Sequence, residues 1–100
     1  MTPFGALADP TRIRILDLLC EGEQSVGELV RAFELSQPAV SQHLRVLKDA
    51  GLVASRPDAQ RRLYRIRPER LRDLDRWLER YRKFWADELD ALERHLDANP

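Results

Sequence analysis

Side chains along residues 36–48 have types and spacings that suit contact with DNA. Ser36 belongs to the residue types that cap a helix. Val40, Leu44 and Leu47 then recur at helical intervals and should pack inward. The face left for a partner carries Gln37, Ser41, Gln42, Arg45 and Lys48. Amides and hydroxyls can read base edges in a major groove while Arg and Lys bind phosphates, so the pattern predicts a DNA-recognition helix.

A second helix directly before this one must position it. Ser25 and Glu28 have the spacing of a capping box, in which two side chains reciprocally satisfy amides at a helix start. Its apolar stripe is Val26, Leu29, Val30 and Phe33. Only Glu34-Leu35 joins the two helices. This short junction predicts a helix-turn-helix over residues 25–50, with the second helix free to enter a groove.

An earlier helix begins where Asp9 can act as N-cap and Pro10 takes the first helical position, at which its missing N–H costs nothing. Gly22 ends it. Its apolar face is assigned to Ile13, Leu16, Leu19 and Cys20. The three helices together predict a helical core over residues 9–50.

Residues 52–66 predict a β-hairpin beside the helix-turn-helix. Strand-forming runs at 52–56 and 62–66 flank a turn at 57–60. The cations at its tip and flanks are Arg56, Arg61, Arg62 and Arg65. A hairpin this basic resembles the wing of a winged-helix domain.

Residues 68–97 predict one long helix, because no Gly or Pro interrupts the chain between Pro68 and Pro100. An apolar stripe follows it at near-heptad spacing through Leu71, Leu74, Leu78, Tyr81, Trp85, Leu89, Leu92 and Leu96. A small domain cannot cover so long a stripe alone. The pattern therefore indicates a partner helix from a second copy.

Length and charge suit one DNA-binding domain spanning residues 1–100. The chain has 100 residues and a formal net charge of zero. Residues 36–70, however, carry eight cations and three acids, a net of +5 around the predicted recognition helix. Such a patch gives sequence-independent affinity for DNA. Because Arg-rich segments can also be ordinary solvated faces, charge alone leaves both interpretations open.

Several classes of protein are disfavoured. No apolar run approaches the ~18–20 residues of a membrane span, and the N-terminus lacks a secretory signature. The single cysteine cannot form an internal disulfide, which indicates a cytoplasmic protein. No serine has an evident general base, and neither a phosphate-binding glycine loop nor a catalytic carboxylate pair occurs, so no enzyme is predicted.

Taken together, the motifs resemble the ArsR-type bacterial winged-helix transcription regulators over residues 4–96. The matching segments are ALADPTRIRIL at 6–16, SVGEL at 25–29, LSQPAVSQHLRVL at 35–47, AGLV at 50–53 and RRLYRI at 61–66. The ordered set is specific, whereas a lone helix-turn-helix match would be weak. The expected fold is mainly α with a small β-hairpin: a winged helix-turn-helix with a long C-terminal dimerisation helix.

The resemblance implies a homodimer that binds an imperfect inverted repeat near promoters and usually represses transcription. It implies base reading by Gln37, Ser41 and Gln42, with Pro38 and Arg45 at the groove edge. The wing cations Arg56, Arg61 and Arg62 would lie over an adjacent minor groove or backbone. Dimer contacts would come from Phe4, Leu7, Leu74, Leu78, Tyr81 and Trp85. The two recognition helices would then lie about one turn of DNA apart, ~34 Å.

Metal sensing is not expected, although many relatives use a Cys-x-Cys pair before the recognition helix. Ser25 and Gly27 occupy those places, and the last helix offers His95 without a second histidine. Zinc or a thiophilic metal needs about four N or S donors. One cysteine and two histidines do not supply them, so no cofactor is predicted.

Other residues have two interpretations. His43 is expected to pack inside the domain rather than contact DNA, and Cys20 to be a small buried apolar residue rather than a redox switch. The aromatic cluster of Trp77, Tyr81, Phe84 and Trp85 fits either dimer packing or a small-molecule pocket at the interface.

Two further questions stay open. The release signal could be a small-molecule or a protein effector. The competing function is a winged-helix interaction module whose basic face binds an acidic protein; the small Gln and Ser side chains of the exposed helix face argue against it, because protein interfaces favour large aromatic anchors.

Overall fold

The computed structural model describes the backbone of residues 3–98 and the side chains of residues 4–95. In chain order the elements are α1 (Pro3–Ala6), α2 (Pro10–Leu19), β1 (Gln24–Ser25), α3 (Val26–Phe33), α4 (Gln37–Asp49), β2 (Val53–Asp58), β3 (Arg61–Ile66) and α5 (Pro68–Ala98). The fold class is the predicted one, mainly helical with a β-hairpin and a long last helix. None of the helices in the described range is long and apolar enough to cross a membrane.

Each of the three central helices begins at the predicted cap. The Asp9 carboxylate accepts the amide hydrogen of Thr11 at 2.7 Å, and this bond holds the pKa of Asp9 below its usual value. Ser25 and Glu28 form the complete capping box, and the Ser36 hydroxyl accepts from the amide of Ala39 at 3.2 Å. The boundaries of these helices therefore follow from local chemistry.

The core lies where α2, α3 and α4 meet the sheet. Its fully buried side chains come from each of these elements and include Ile15, Leu29, Val40, Leu44, Leu47, Leu52 and Val53. Burial of a side chain of this size contributes roughly 1.5–3 kcal/mol. The three apolar positions predicted for α4 all have 0% exposure, which fixes the opposite face of that helix toward solvent.

The prediction for α2 is wrong in two residues. Ile13 is 43% exposed and Cys20 is exposed, whereas Ile15 is fully buried with Leu16 and Leu19 beside it. Successive residues lie about 100° apart around a helix, so Ile13 and Cys20 point roughly a quarter turn away from that stripe. Cys20 is therefore a surface residue at the end of α2, and the expectation of a buried thiol is incorrect.

A third strand, which the sequence did not indicate, joins the predicted hairpin. The sheet order is β1-β3-β2, antiparallel throughout, with Gln24 opposite Tyr64 and Ser25 opposite Leu63. We call the β2–β3 hairpin the wing. Its strands extend to Asp58 and Arg61, so the turn is shorter than predicted and consists of residues 59–60.

An ion pair fixes the wing to the α2–β1 connection. Arg56 donates from Nε and Nη2 to the two carboxylate oxygens of Glu23, each at 2.9 Å. This pairing lowers the pKa of Glu23 and raises that of Arg56. On the other side of β2, Lys48 Nζ donates to the Ser55 hydroxyl at 3.0 Å. The wing is thus held to both its neighbours.

The last helix packs on the domain only near its start. Leu74 is 8% exposed, and the Trp77 ring meets Phe4 of α1 edge-on, with centroids 5.1 Å apart. Beyond this point the apolar stripe is open: Tyr81 40%, Trp85 48%, Leu89 64% and Leu92 54% exposed. The side chain of Leu96, predicted to continue the stripe, lies outside the described residues.

The short turn of the wing generates a stability prediction. Ala59 has a φ of 57°, a conformation that costs an L-residue about 1–2 kcal/mol and glycine almost nothing. Ala59→Gly should therefore raise the free energy of unfolding by about 0.5–1 kcal/mol, after allowance for the greater freedom of glycine in the unfolded chain. The neighbouring change Gln60→Gly should lower it by a similar amount, because Gln60 has no positive φ to relieve. Urea denaturation measures the free energy of unfolding of both variants. An equal effect of the two changes would contradict the claim that the positive φ of Ala59 destabilises the turn.

The wing anchor generates a prediction about pH. Because the pKa of Glu23 is lowered in the folded state, its contribution to stability is present above the unfolded value of about 4.5 and is lost as pH falls through the folded value. Glu23→Gln should lower the melting temperature slightly at pH 7, because an exposed ion pair contributes little to stability, and the gap to the unsubstituted protein should close at an acid pH below the folded pKa of Glu23. Glu21→Gln, at an exposed acid without an ion pair among the described side chains, is the matched control and should show no gap at either pH.

Candidate nucleic-acid interface

The solvent-facing side of α4 gathers the predicted DNA-contacting residues on one surface. The exposed members are Gln37, Pro38, Ser41, Gln42, Arg45 and Lys48. The core holds α4 in a fixed orientation, because Val40, Leu44 and Leu47 are fully buried on its opposite side. A rigid helix that presents amides, a hydroxyl and cations along one face has the form and chemistry to enter a major groove.

The connection between α3 and α4 sets the angle at which this face is presented. Glu34 ends α3 with φ 53° and ψ 38°, in the left-handed region that reverses the chain quickly. Ser36 then caps α4, and Pro38 in the first turn needs no amide partner. The two helices consequently meet through a junction of three residues, 34–36.

The structure distinguishes among the three wing cations. Arg56 is engaged by Glu23, as described above. Arg61 donates to Asp58 at 3.2 Å and to Glu28 at 3.3 Å. Arg62 is exposed and has no ion-pair partner among the described side chains. Of the three, Arg62 is therefore the guanidinium most available to a phosphate.

Two residues that sequence reasoning did not select, Arg31 and Gln60, join this surface. They line an open groove of about 500 Å³ that also includes Gln37, Arg61 and Arg62. The sequence did not indicate a role for Arg31 in DNA contact, because this residue belongs to α3 and not to the recognition helix or the wing. Its guanidinium extends back to the start of α3, where a Cβ placed on Gly27 would lie 3.5 Å from Arg31 Nη1. The wing and helix-turn-helix share this cationic wall.

Glu28 is the acid at the edge of this groove. Its carboxylate accepts from the Ser25 backbone amide at 3.3 Å, and its own amide donates to the Ser25 hydroxyl at 3.2 Å. The hydrogen bonds with Ser25, and secondarily the nearby Arg61 and Arg31, lower the pKa of Glu28. Glu28 therefore stays ionised at neutral pH and holds Arg61 in place.

His43, on α4, lies behind the exposed face. It is half-buried, and its Nδ1 is 3.5 Å from Nη1 of Arg12 on α2. Arg12 also donates from Nε to the backbone carbonyl of Ala6 at 2.6 Å. This arrangement agrees with the packing role that the spacing of His43 indicated.

The residues predicted for dimer contacts differ in how accessible they are. Phe4, Tyr81 and Trp85 expose 40–48% of their surface. Leu7 and Leu78 are half-buried, and Leu74 is almost covered by its own chain. The accessible part of the set is aromatic and lies on one side of α1 and α5.

Within residues 4–95 no group of three or more His, Cys, Asp and Glu side chains is placed to hold a metal ion. Ser25 uses its hydroxyl as the cap of α3, and Gly27 has no side chain. Neither position supplies a ligand of the kind found in Cys-x-Cys sites.

Comparison with known proteins extends these observations. Residues 9–55 match the arsR family of bacterial regulatory proteins. The HTH-type transcriptional regulator Rv2034 of Mycobacterium tuberculosis is 45% identical over 93 residues, 93% of this chain and 84% of that protein. The transcriptional repressor SdpR of Bacillus subtilis is 36% identical over 75 residues, 75% of this chain and 83% of that repressor.

A solved structure supports the same assignment. The crystal structure of a possible transcriptional regulator for arsenical resistance is 43% identical, with a TM-score of 0.74, and the match covers 95% of this chain and 96% of that one. Fold, motif order and relatives agree with the resemblance seen in the sequence, which is confirmed. The chain belongs to the arsR family of bacterial regulatory proteins, and it is a DNA-binding transcription regulator and not an enzyme.

Proposed function

We propose that this protein is a homodimeric repressor that binds an inverted-repeat operator, acts in the cytoplasm and does not respond to metal ions. The observation that carries the proposal is the face of α4, where base-reading and phosphate-binding side chains are exposed together over a fully buried apolar stripe. In this proposal Gln37, Ser41 and Gln42 read bases, and Pro38 lines the groove edge.

Cations around this helix supply affinity that does not depend on sequence. Arg45 and Lys48 follow the polar residues along α4, and Arg62 extends from the wing. Arg56 and Arg61 are engaged with acids of the protein, and we infer that they orient the wing as well as attract the DNA backbone. Each cation that meets a phosphate releases a counterion on binding.

Dimerisation is proposed through α1 and α5. The exposed aromatic and leucine side chains from Tyr81 onward form a stripe at near-heptad spacing, on the part of α5 that lies beyond its contact with α1. Exposed apolar surface of this kind is characteristic of an interface. The two-fold axis that relates two such helices must leave both copies of α4 on the same side of the dimer, as a two-fold operator requires.

The proposal that the repressor does not respond to metal ions rests on its lack of suitable ligand side chains. The solved relative is linked by name to arsenical resistance, but here Ser25 serves as a helix cap, and Cys20 is a lone thiol on the surface of another helix. One thiol cannot hold a thiophilic ion with the three or four donors that such sites use. Control by a small molecule, by a partner protein or by the expression level of the repressor remains compatible with this proposal.

The proposed DNA contacts are tested by substitutions with different expected outcomes. Gln42→Ala should narrow the difference in binding free energy between DNA from upstream of the protein's own gene and a scrambled fragment by ~1–3 kcal/mol, because a base contact is lost. Arg45→Ala should weaken binding to both fragments alike and reduce the salt slope by about one. Fluorescence anisotropy across a salt series measures both. Equal loss on both fragments for Gln42→Ala would refute its role, and absence of binding at low salt would favour the acidic-protein partner.

The proposed dimer is tested on α5. Trp85→Ala should raise the dissociation constant of the dimer roughly tenfold or more, because an aromatic anchor is removed from the stripe. Lys83→Ala, two residues earlier and facing away from the stripe, should leave it unchanged. Sedimentation velocity over a dilution series provides the measurement. A protein that stays monomeric at every concentration would exclude the dimer.

A further inference from the structure

The open groove between α3, the wing and the start of α4 has a chemistry of its own. We call it the basic groove and define it by Gly27, Arg31, Gln37, Arg61, Arg62 and Tyr64. Its volume of about 500 Å³ falls in the range of sites that hold small molecules or a nucleotide-sized group. Most of its polar walls are donors: three guanidinium groups and the amides of glutamine side chains.

The positive charge in this groove is only partly compensated. Glu28 and Asp58 both contact Arg61, at 3.3 Å and 3.2 Å. Arg31 and Arg62 have no ion-pair partner among residues 4–95. Three cations face two acids, and both acids are bound to the same cation.

The position of Arg31 makes this charge notable. The residue lies in the last turn of α3, where a cation is favourable, yet its guanidinium approaches the first turn beside Gly27. The first turn is the positive end of the helix, where a cation is disfavoured and an anion is stabilised. Arg31 therefore adds to the positive potential of the helix start instead of offsetting the negative potential at the helix end.

The groove is also continuous with the DNA-contacting face. Gln37 is both a wall of the groove and the first residue of α4. A duplex lying against α4 and the wing would pass its backbone across the groove mouth. Guanidinium groups match the oxygens of phosphate in a planar, bidentate geometry.

We propose that the basic groove binds a phosphate group through Arg31 and Arg62, and that this group is a backbone phosphate of the bound DNA. The inference rests on the proposed function, and it adds a residue of α3 to the interface. Arg61, held by Glu28 and Asp58, is a further wall of the basic groove. The phosphate contact sets how the duplex is seated and carries no base specificity.

The test compares two substitutions that each remove one positive charge. Arg31→Gln should weaken binding to the upstream and the scrambled fragment by the same factor, roughly tenfold, and reduce the salt slope by about one. Arg76→Gln, on the side of α5 away from its apolar stripe, should change neither. Arg31→Lys should keep the slope, since the charge remains, and lose part of the affinity. If Arg31→Gln and Arg76→Gln behave alike while both retain the melting temperature of the unsubstituted protein, the proposal is overturned.

A second measurement separates this proposal from the proposed function. Inorganic pyrophosphate titrated into ¹⁵N-labelled protein should shift the amide resonance of Gly27 saturably, and Arg31→Gln should abolish the shift. If pyrophosphate binds saturably but the protein binds neither DNA fragment, the groove is a phosphate site and the proposal that its phosphate comes from DNA is rejected. No shift together with an unaffected salt slope would reject the site itself.

Discussion

Ser25 connects the sheet to the helix-turn-helix, because it belongs to strand β1 and also caps helix α3. It is the last residue of β1, where it lies opposite Leu63, and its hydroxyl accepts a hydrogen bond from the backbone amide of Glu28 in the first turn of α3. Glu28 completes the cap and reaches across to Arg61 on the wing. Ser25 is 5% exposed, so a lost hydrogen bond there would leave a buried polar group without water, at a cost of about 1–3 kcal/mol. A two-residue strand and one capping box therefore act with the Arg56–Glu23 and Lys48–Ser55 contacts to orient the wing against the helix-turn-helix.

The distribution of acids explains how a chain of zero net charge can present a basic surface. Glu23 contacts Arg56 in the middle of β2, and Glu28 contacts Arg61 next to the turn of the wing. These pairs lie at the surface, where an ion pair adds little to stability, and their effect is mainly to restrict where the guanidinium groups point. Arg45 and Arg62 are exposed without such partners in the described structure. Arg56 and Arg61 are therefore held in place by acids, whereas Arg45 and Arg62 are available to a partner such as DNA. The net charge of the chain does not reveal this difference.

Local rules predicted much of this protein, and the errors arise where tertiary contacts decide. Helix caps such as Ser36 and the apolar stripe of α4 depend on neighbours in sequence, so both could be read directly. Ile13 and Cys20 fit a helical periodicity, but the packing of α2 against the rest of the core buries Ile15 instead. The strand β1 is two residues long and exists because β3 pairs with it. Arg31 carries no local signal, since its place in the basic groove depends on how α3 and the wing pack.

Arg12 connects the surfaces proposed for dimer and DNA contact. Its Nε donates to the carbonyl of Ala6 at the end of α1, and its Nη1 lies 3.5 Å from His43 on α4. On α1, Phe4 packs against Trp77 of the long helix. A series of contacts thus runs from α5 through α1 and Arg12 to the recognition helix. In a two-fold dimer the separation of the two α4 helices must match the operator, and Arg12 lies where a shift of α1 would bear on α4.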